Sequence, residues 1–124
     1  MIAADTSSLV AFLAGHDGAD VTRIDAAIQS GELVVPPPVL TELASKPDRS
    51  MIEPLLQTAA VIELTEGFWR RAGESRRALL ARGLKAGLAD ALIAQCCIDA
   101  GVALITRDRD YRHFARWCGL KLAD

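Results

Sequence analysis

The chain has 124 residues, of which 51% are hydrophobic and 24% are charged. This length is typical of one domain with a buried core, so we expect residues 1–124 to form a single domain. The composition excludes a disordered or low-complexity protein, and the formal net charge of −2 excludes a protein coated uniformly with basic residues.

The first half of the chain alternates short apolar runs with helical patterns. Residues 1–4 predict a strand, and the polar residues after them predict the start of a helix that continues through residues 9–13. Apolar residues at helical spacing follow over residues 21–28. Leu33–Val35 then predicts a second strand, and the prolines after it predict the first turn of a helix that contains Glu42. This alternation predicts an α/β domain with a mainly parallel sheet.

The middle of the chain predicts a short helix over residues 54–58, a short strand at 61–62 and a longer helix that begins at Thr65. One arc of this longer helix is expected to face the core and comprises Phe68, Trp69, Ala72, Leu79 and Leu80. The opposite arc is mostly basic, which is typical of a helix with one face in solvent.

The last third of the chain is the most apolar. Residues 88–100 predict a helix that is apolar all round and therefore buried. An all-apolar strand follows at residues 102–105, of the kind found inside parallel sheets. A short helix at 111–117 and a last strand at 120–122 complete the predicted elements.

Four of the sixteen carboxylates stand out by their positions. Asp5 ends the first strand, Glu42 lies beyond the end of the second, and Asp108 follows the apolar strand, with Asp110 two residues later. Ligands of an open parallel sheet bind beyond the carboxyl ends of its strands. Asp90 lies in the first turn of the helix predicted to be buried, where an unpaired carboxylate is costly. Seven other carboxylates are expected in loops or on exposed faces: Asp17, Asp20, Asp25, Glu32, Asp48, Glu53 and Glu63.

Three of these carboxylates also have an ordinary structural explanation. Asp5 would cap the following helix, Asp90 would be stabilised by its helix dipole, and Glu42 would be an exposed helical residue. If the four converge, some of their pKa values must rise unless a cation is present. Oxygen ligands without His or Cys select Mg²⁺ or Mn²⁺, and such sites suit phosphodiester hydrolysis.

The charge is distributed unevenly along the chain. Residues 1–63 carry three basic and nine acidic side chains, a balance of −6, whereas residues 64–124 carry eleven basic and seven acidic ones, a balance of +4. A basic surface for nucleic acid beside an acidic site would have this pattern, and so would a mixed solvent-exposed surface. The candidates for a basic rim are Arg70, Arg71, Arg77, Arg82, Lys85, Arg107 and Arg109.

Other classes of site lack their sequence signals. The three cysteines form no C-x-x-C pair, which argues against a disulfide framework or a zinc site and favours a reducing cytoplasm. The chain has no phosphate-binding loop, dinucleotide fingerprint or nucleophile elbow. Nothing brings His16 and His113 together for metal-free cleavage of RNA. No signal peptide or membrane-length apolar run is visible, so we expect a cytoplasmic protein without a membrane partner.

Four motifs occur in a fixed order along the chain. An apolar strand ends in Asp-Thr-Ser at residues 2–7, Val-Leu-Thr-Glu-Leu occupies 39–43, Lys-Ala-Gly-Leu-Ala-Asp-Ala-Leu-Ile-Ala occupies 85–94, and Leu-Ile-Thr-Arg-Asp-Arg-Asp-Tyr occupies 104–111. With these motifs the chain resembles the PIN-domain ribonucleases, in particular the VapC toxins of bacterial VapBC toxin–antitoxin pairs.

The resemblance implies a three-layer α/β/α PIN-like domain around a mainly parallel sheet. It implies a metal-dependent ribonuclease that hydrolyses RNA with an activated water. The residues implied to be catalytic and to hold one or two Mg²⁺ or Mn²⁺ ions are Asp5, Glu42, Asp90 and Asp108. Asp110 would be a secondary ligand or a residue that supports the ligands, and the groups that orient the carboxylates or water would be Thr6, Ser7 and Thr106.

The resemblance also implies partners. Members of this family usually form homodimers, bind RNA and are silenced by a small antitoxin that often places an arginine in the acidic pocket; DNA is bound only through the antitoxin complex. Two alternatives remain open: a PIN fold that mainly binds DNA with its antitoxin, and a signalling receiver domain. A receiver would need a second acid beside Asp5 and a lysine where the chain has Thr106 and Arg107.

Overall fold

The computed structural model describes residues 1–123. The strands in that range are β1 (Ile2–Ala4), β2 (Leu33–Val35), β3 (Ala60–Val61) and β4 (Ala103–Ile105). The helices are α1 (Thr6–Leu13), α2 (Ala19–Ser30), α3 (Pro37–Ala44), α4 (Glu53–Thr58), α5 (Phe68–Ala81), α6 (Leu88–Ala100) and α7 (Tyr111–Trp117). No helix among these residues is long and apolar enough to cross a membrane.

The four strands form one parallel sheet in the order β3-β2-β1-β4. The chain moves from β1 outward to β3 and then returns to place β4 on the other side of β1. The direction of strand addition therefore reverses between β1 and β4. In open parallel sheets this reversal leaves a crevice beyond the carboxyl ends of the two strands, where ligands bind. The predicted α/β fold with a parallel central sheet is confirmed.

The centre of the sheet is built from small and branched apolar residues. Ala3 and Ala4 of β1 are fully buried, as is Leu104 of β4, and Ile105 is almost so. Side chains this small let the flanking helices approach the sheet closely. Helix α1 packs against α2, and α5 packs against α6, which gives the layered α/β/α arrangement expected from the sequence. The sheet thus supplies a rigid base for the loops at its carboxyl edge.

The predicted α5 helix differs from the observed one in its start and its buried face. It begins at Phe68, not at Thr65, because Gly67 before it has a left-handed φ of 83°. Trp69 is 67% exposed and Leu80 is 47% exposed, so neither belongs to the core as predicted. Packing against α6 follows a narrower stripe, in which Ser75 donates a hydrogen bond to Gln95 at 2.6 Å.

Two further expectations near the carboxyl terminus need correction. In helix α6 only residue 91 and residues 93–97 are buried. The first turn is open, and Leu88 is 63% exposed. The last strand predicted at residues 120–122 is reduced to a single bridge between Leu104 and Leu122. Because one bridge fixes few backbone groups, this segment only covers the outer edge of β4.

Candidate active site

A cleft of about 480 Å³ opens at the carboxyl edge of β1 and β4, and all four predicted acids line it. Asp5 follows β1, Asp108 follows β4, Glu42 reaches the cleft from α3, and Asp90 reaches it from the first turn of α6. The parallel topology explains this convergence, because every strand ends at the same edge of the sheet.

At the edge of the cleft, three carboxylates are close enough to share one cation. Asp90, Asp108 and Asp110 each offer an oxygen, and these oxygens lie within 4.8 Å of one another. Among residues 1–123 this is the one group of three or more acidic, His or Cys side chains that meets that distance. Asp110, which the resemblance implies is a secondary ligand or a supporting residue, lies in the compact group, whereas Asp5 and Glu42 lie outside it.

Asp5 both caps helix α1 and lines the cleft. Its side chain is the N-cap of α1 and accepts a hydrogen bond from the Ser8 amide at 3.0 Å. It also accepts hydroxyl hydrogen bonds from Ser7 at 3.0 Å and from Thr106 at 2.5 Å. Only 3% of the residue is exposed, and this burial raises the pKa of its carboxyl despite the hydrogen bonds. The capping explanation and the site explanation thus apply to the same residue.

Glu42 is held at the opposite wall of the cleft. The Thr6 hydroxyl donates a hydrogen bond of 2.6 Å to its Oε1 atom. This contact joins the first turn of α1 to the middle of α3 across 36 residues. A threonine that orients this carboxylate is one of the roles that the resemblance implied for the Asp-Thr-Ser motif.

Asp90 has a partner that the sequence did not reveal. The Tyr111 hydroxyl, at the start of α7, donates a hydrogen bond of 3.2 Å to its Oδ1 atom. Tyr111 is only 1% exposed. Burial raises the pKa of Asp90, and the nearby charge of Asp108 raises it further. The aromatic residue at the end of the fourth motif was the available signal for this contact.

The loop after β4 is shaped by its own hydrogen bonds. The Asp108 amide donates to the Thr106 hydroxyl at 3.0 Å, and the Asp110 amide donates to the Asp108 carboxylate at 2.9 Å. The Lys85 ammonium lies 3.1 Å from Asp110, and this hydrogen bond raises the pKa of Lys85. The loop therefore presents the carboxylates of Asp108 and Asp110 side by side, with the Lys85 ammonium group next to Asp110.

The candidate basic rim is partly occupied by the protein's own acceptors. Arg71 pairs with Asp99 at 2.7 Å, and Arg107 pairs with Asp20 at 2.7 Å. Asp20 therefore does not lie on a free exposed face as predicted. Arg82 stacks over the ring of Trp117. Within the part of the chain that the structure describes, the candidates without an ion pair are Arg70, Arg77, Arg82 and Arg109.

The donor set decides which cation the cluster suits. Its three ligating groups are carboxylates, and hard oxygen donors are the ligands of Mg²⁺ and Mn²⁺. Three ionised carboxylates at this distance repel one another, and a divalent cation removes that repulsion. The site residues therefore fit a hard divalent cation. The arrangement is suited to chemistry on a phosphate, whose own negative charge would otherwise be repelled from the cleft.

Comparison with known proteins agrees with this geometry. The family model described as the PIN domain matches residues 2–116. No curated protein sequence matches the chain significantly. The solved structure of VapBC2 from Rickettsia felis, bound to a DNA fragment from the promoter, is similar with a TM-score of 0.78 at 22% identity, over 99% of this chain and 98% of that one.

Two further solved structures share the fold. FitAcB from Neisseria gonorrhoeae matches with a TM-score of 0.73 at 14% identity, over 100% of this chain and 97% of that one. VapBC-1 from nontypeable Haemophilus influenzae matches with a TM-score of 0.70 at 20% identity, over 100% and 98% of the two chains. At these identities the likeness establishes the fold, and the function has to be argued from the cleft.

Proposed function

Because the chain belongs to the PIN domain family, we propose that it is a metal-dependent ribonuclease toxin of the VapC type that hydrolyses RNA phosphodiester bonds. The observation that carries this proposal is the convergence of Asp90, Asp108 and Asp110 at the point where the order of strand addition reverses. A bare acidic cleft repels RNA, so the arrangement makes chemical sense only with a divalent cation present. Asp5 and Glu42 complete the set of carboxylates that line the cleft.

Each side chain has a distinct task in this mechanism. We assign Asp90 and Asp108 as the principal Mg²⁺ or Mn²⁺ ligands, with Asp110 beside them and Asp5 and Glu42 as further ligands. When bound, the cation supplies a water of lowered pKa and offsets negative charge developing on the phosphate. Tyr111 holds the carboxylate of Asp90 in place.

The hydroxyl groups around the cleft keep the remaining carboxylates oriented. Thr106 donates to Asp5, and Thr6 donates to Glu42, so each carboxylate is held in a fixed orientation. A carboxylate held in this way accepts a proton from an attacking water without first having to reorient. Exposed arginines on the basic half of the chain, such as Arg70 and Arg109, would contact the RNA backbone.

The proposal predicts that the purified chain, freed of any antitoxin, cleaves RNA only with a divalent cation. Total RNA incubated with Mg²⁺ or Mn²⁺ should give discrete fragments, resolved by gel electrophoresis and mapped by primer extension. Excess chelator should abolish the fragments, and restored cation should bring them back. Cleavage that persists in chelator would contradict a metal-dependent mechanism.

The same preparation separates the nuclease from a mainly DNA-binding role. Absence of cleavage in every cation, with promoter DNA bound by the antitoxin complex, would favour the alternative. We propose an antitoxin as the natural partner, because similar solved structures are VapBC and FitAB assemblies. The acidic cleft would accept a basic side chain from that partner, and DNA would be bound only through the complex. With such a partner, we propose a cytoplasmic location for the protein.

The cysteines support that location. Cys96 and Cys97 are free and buried, and burial raises the pKa of each thiol to about 12. Thiols with such a high pKa are almost entirely protonated at neutral pH and react slowly. Free cysteines without a disulfide are usual in proteins of a reducing compartment.

We also propose a homodimer, because an apolar surface near the cleft lacks cover. Leu64 and Trp69 line a largely apolar groove of about 320 Å³ between α3, α5 and α6. Trp69 is 67% exposed, and an exposed tryptophan in an apolar patch is typical of an interface. A second copy would bury this ring and bring two acidic clefts into one particle.

The dimer predicts a specific effect of Trp69→Ser. Loss of a central tryptophan should raise the dimer dissociation constant at least about tenfold, which sedimentation velocity over a concentration series will measure. Met51→Ser is the matched control, since Met51 is 63% exposed but lies outside the groove. An unchanged dissociation constant in Trp69→Ser would place the interface elsewhere.

A further inference from the structure

An ion pair links the first turn of α2 to the loop that follows β4. Arg107 donates from Nε to one oxygen of Asp20 at 2.7 Å and from Nη2 to the other at 3.1 Å. The two residues are 87 positions apart in the chain. A bidentate contact of this kind fixes the plane of the guanidinium as well as its distance.

Two neighbouring residues are adapted to this pair. The fully buried Ser8 donates its hydroxyl to the same carboxylate of Asp20 at 2.9 Å. At position 18 a Cβ atom would lie 2.5 Å from an Asp20 oxygen and 3.3 Å from an Arg107 nitrogen, so only glycine leaves room. Gly18 also has a φ of 149°, which other residues rarely adopt. Ser8 of α1 and Gly18, directly before α2, therefore both support the position of the Asp20–Arg107 ion pair.

Arg107 lies in the loop that follows β4, between two residues of the candidate active site. Thr106, directly before Arg107, donates to Asp5, and Asp108, directly after it, belongs to the compact acidic group. Anchoring the side chain of Arg107 limits the movement of both neighbours. We propose that the Asp20–Arg107 pair is a positioning device that holds the loop carrying Asp108 in the geometry required for cation binding. This inference rests on the proposed function and extends it to two residues outside the acidic set.

The alternative use of Arg107 is direct contact with an RNA phosphate. The geometry argues against it, because both oxygens of Asp20 and the Asp17 carbonyl already face the guanidinium. The hydrogen bond from Arg107 lowers the pKa of Asp20 to about 2, so Asp20 is ionised at neutral pH. An RNA phosphate would have to displace an ionised carboxylate that Ser8 also holds.

The test compares Asp20→Asn with Asp99→Asn. The Arg71–Asp99 pair is a close match, since both pairs measure 2.7 Å, both arginines are 38% exposed, and the aspartates are 11% and 15% exposed. Asp20→Asn should weaken Mn²⁺ binding about tenfold in titration calorimetry, as loss of groups that support metal ligands does. Asp99→Asn should leave Mn²⁺ affinity unchanged. In RNA cleavage Asp20→Asn should lower kcat and leave KM within about twofold.

Amide hydrogen exchange gives a readout that needs neither metal nor RNA. In Asp20→Asn the amides of Asp108 and Asp110, both hydrogen-bonded within the loop, should exchange at least about fivefold faster. Thermal melting will establish that both variants are folded. Arg107→Lys, which keeps the charge but loses the bidentate fork, should show the same exchange and metal defects.

Three results would overturn the inference. These are unchanged exchange at Asp108 in Asp20→Asn, an equal loss of Mn²⁺ affinity in Asp99→Asn, and a lowered KM with unchanged kcat in Asp20→Asn. The last result would identify Arg107 as an RNA ligand that Asp20 restrains. If the wild-type chain neither binds Mn²⁺ nor cleaves RNA, the proposed function fails, and the exchange rates alone decide whether the pair orders the loop.

Discussion

Asp90→Asn should lower RNA cleavage by at least about 100-fold and make the cation-free protein more stable. The activity falls because Asp90 supplies one of three oxygens that lie within 4.8 Å of one another. An asparagine in its place carries no negative charge with which to hold a cation. Losses of about 100-fold or more are usual when a group that organises charge at the reacting centre is removed.

The expected gain in stability of Asp90→Asn has the same cause, the loss of a negative charge, but acts in the protein without a cation. Burial and the charge of Asp108 raise the pKa of Asp90, so ionising this carboxyl opposes folding when no cation is present. Asparagine removes that unfavourable charge and still accepts the hydrogen bond from Tyr111. Active sites commonly trade stability for function in this way.

The sign of the pH dependence follows from the raised pKa. As pH falls toward that pKa, folded wild-type protein takes up a proton more readily than unfolded protein, and its free energy of unfolding rises. The variant has no such group at position 90. Its stability advantage in chelator should therefore be largest at pH 7 and shrink as pH falls toward 4. Urea unfolding at four or five pH values will measure this difference.

Asp25→Asn provides the matched control for this charge change. Asp25 is exposed, and among residues 1–123 its one side-chain partner is Gln29, which donates a hydrogen bond to it. The Asp25→Asn variant should therefore cleave RNA at the wild-type rate. Full activity of Asp90→Asn would remove Asp90 from the site. A stability advantage that grows as pH falls would show that the carboxyl is not disfavoured in the folded state.

Substitutions of Asp5 should distinguish its contribution to stability as an N-cap from the contribution of its negative charge to RNA cleavage. Asp5→Ala deletes the N-cap of α1, which costs about 1 kcal/mol, and leaves the Thr106 and Ser7 hydroxyls without their acceptor, at about 1 kcal/mol or more. We expect a total loss of about 2 kcal/mol, or a fall in Tm of about 8 °C. Asp5→Asn keeps an oxygen for the Ser8 amide and removes a charge that burial disfavours, so it should lose less than about 1 kcal/mol.

Both Asp5 variants should lose at least about tenfold in cleavage, because neither keeps the negative charge at the end of β1. Thermal unfolding followed by circular dichroism, run beside the RNA assay, will give the two effects separately. Ser45→Ala is a control for the loss of an exposed side-chain hydrogen bond, here to the Thr41 carbonyl. If Asp5→Asn keeps wild-type cleavage, Asp5 is a cap and nothing more.

The positions of the acids could be predicted because strand polarity is visible in the sequence. Apolar runs such as Leu33–Val35 identify strands, and parallel strands deliver the residues that follow them to one edge of the sheet. Asp5 and Asp108 were placed at that edge for this reason. The PIN-domain family assignment made from four ordered motifs is confirmed by the match over residues 2–116.

Contacts between side chains that are far apart along the chain could not be predicted from the sequence. Asp20 was expected on an exposed face because its partner Arg107 lies 87 residues away and nothing local marks the pairing. Trp69 was assigned to the core from its position on the helical wheel. A helical wheel shows the direction in which a side chain points, but not how much of that face a neighbouring helix covers. Here α6 covers the part of the face that contains Phe68 and Ala72.

The pairing of β1 with β4 has a consequence for synthesis. Asp5 and Thr106 are hydrogen-bonded across 101 residues, so the two halves of the cleft come from segments that are far apart in the sequence. Contacts of such long range close late in folding, because the intervening loop must first be ordered. A ribosome-bound chain that stops before residue 108 has no complete cleft. During synthesis, the Asp5 carboxylate therefore lacks its Thr106 partner for the time that the ribosome takes to add 101 residues.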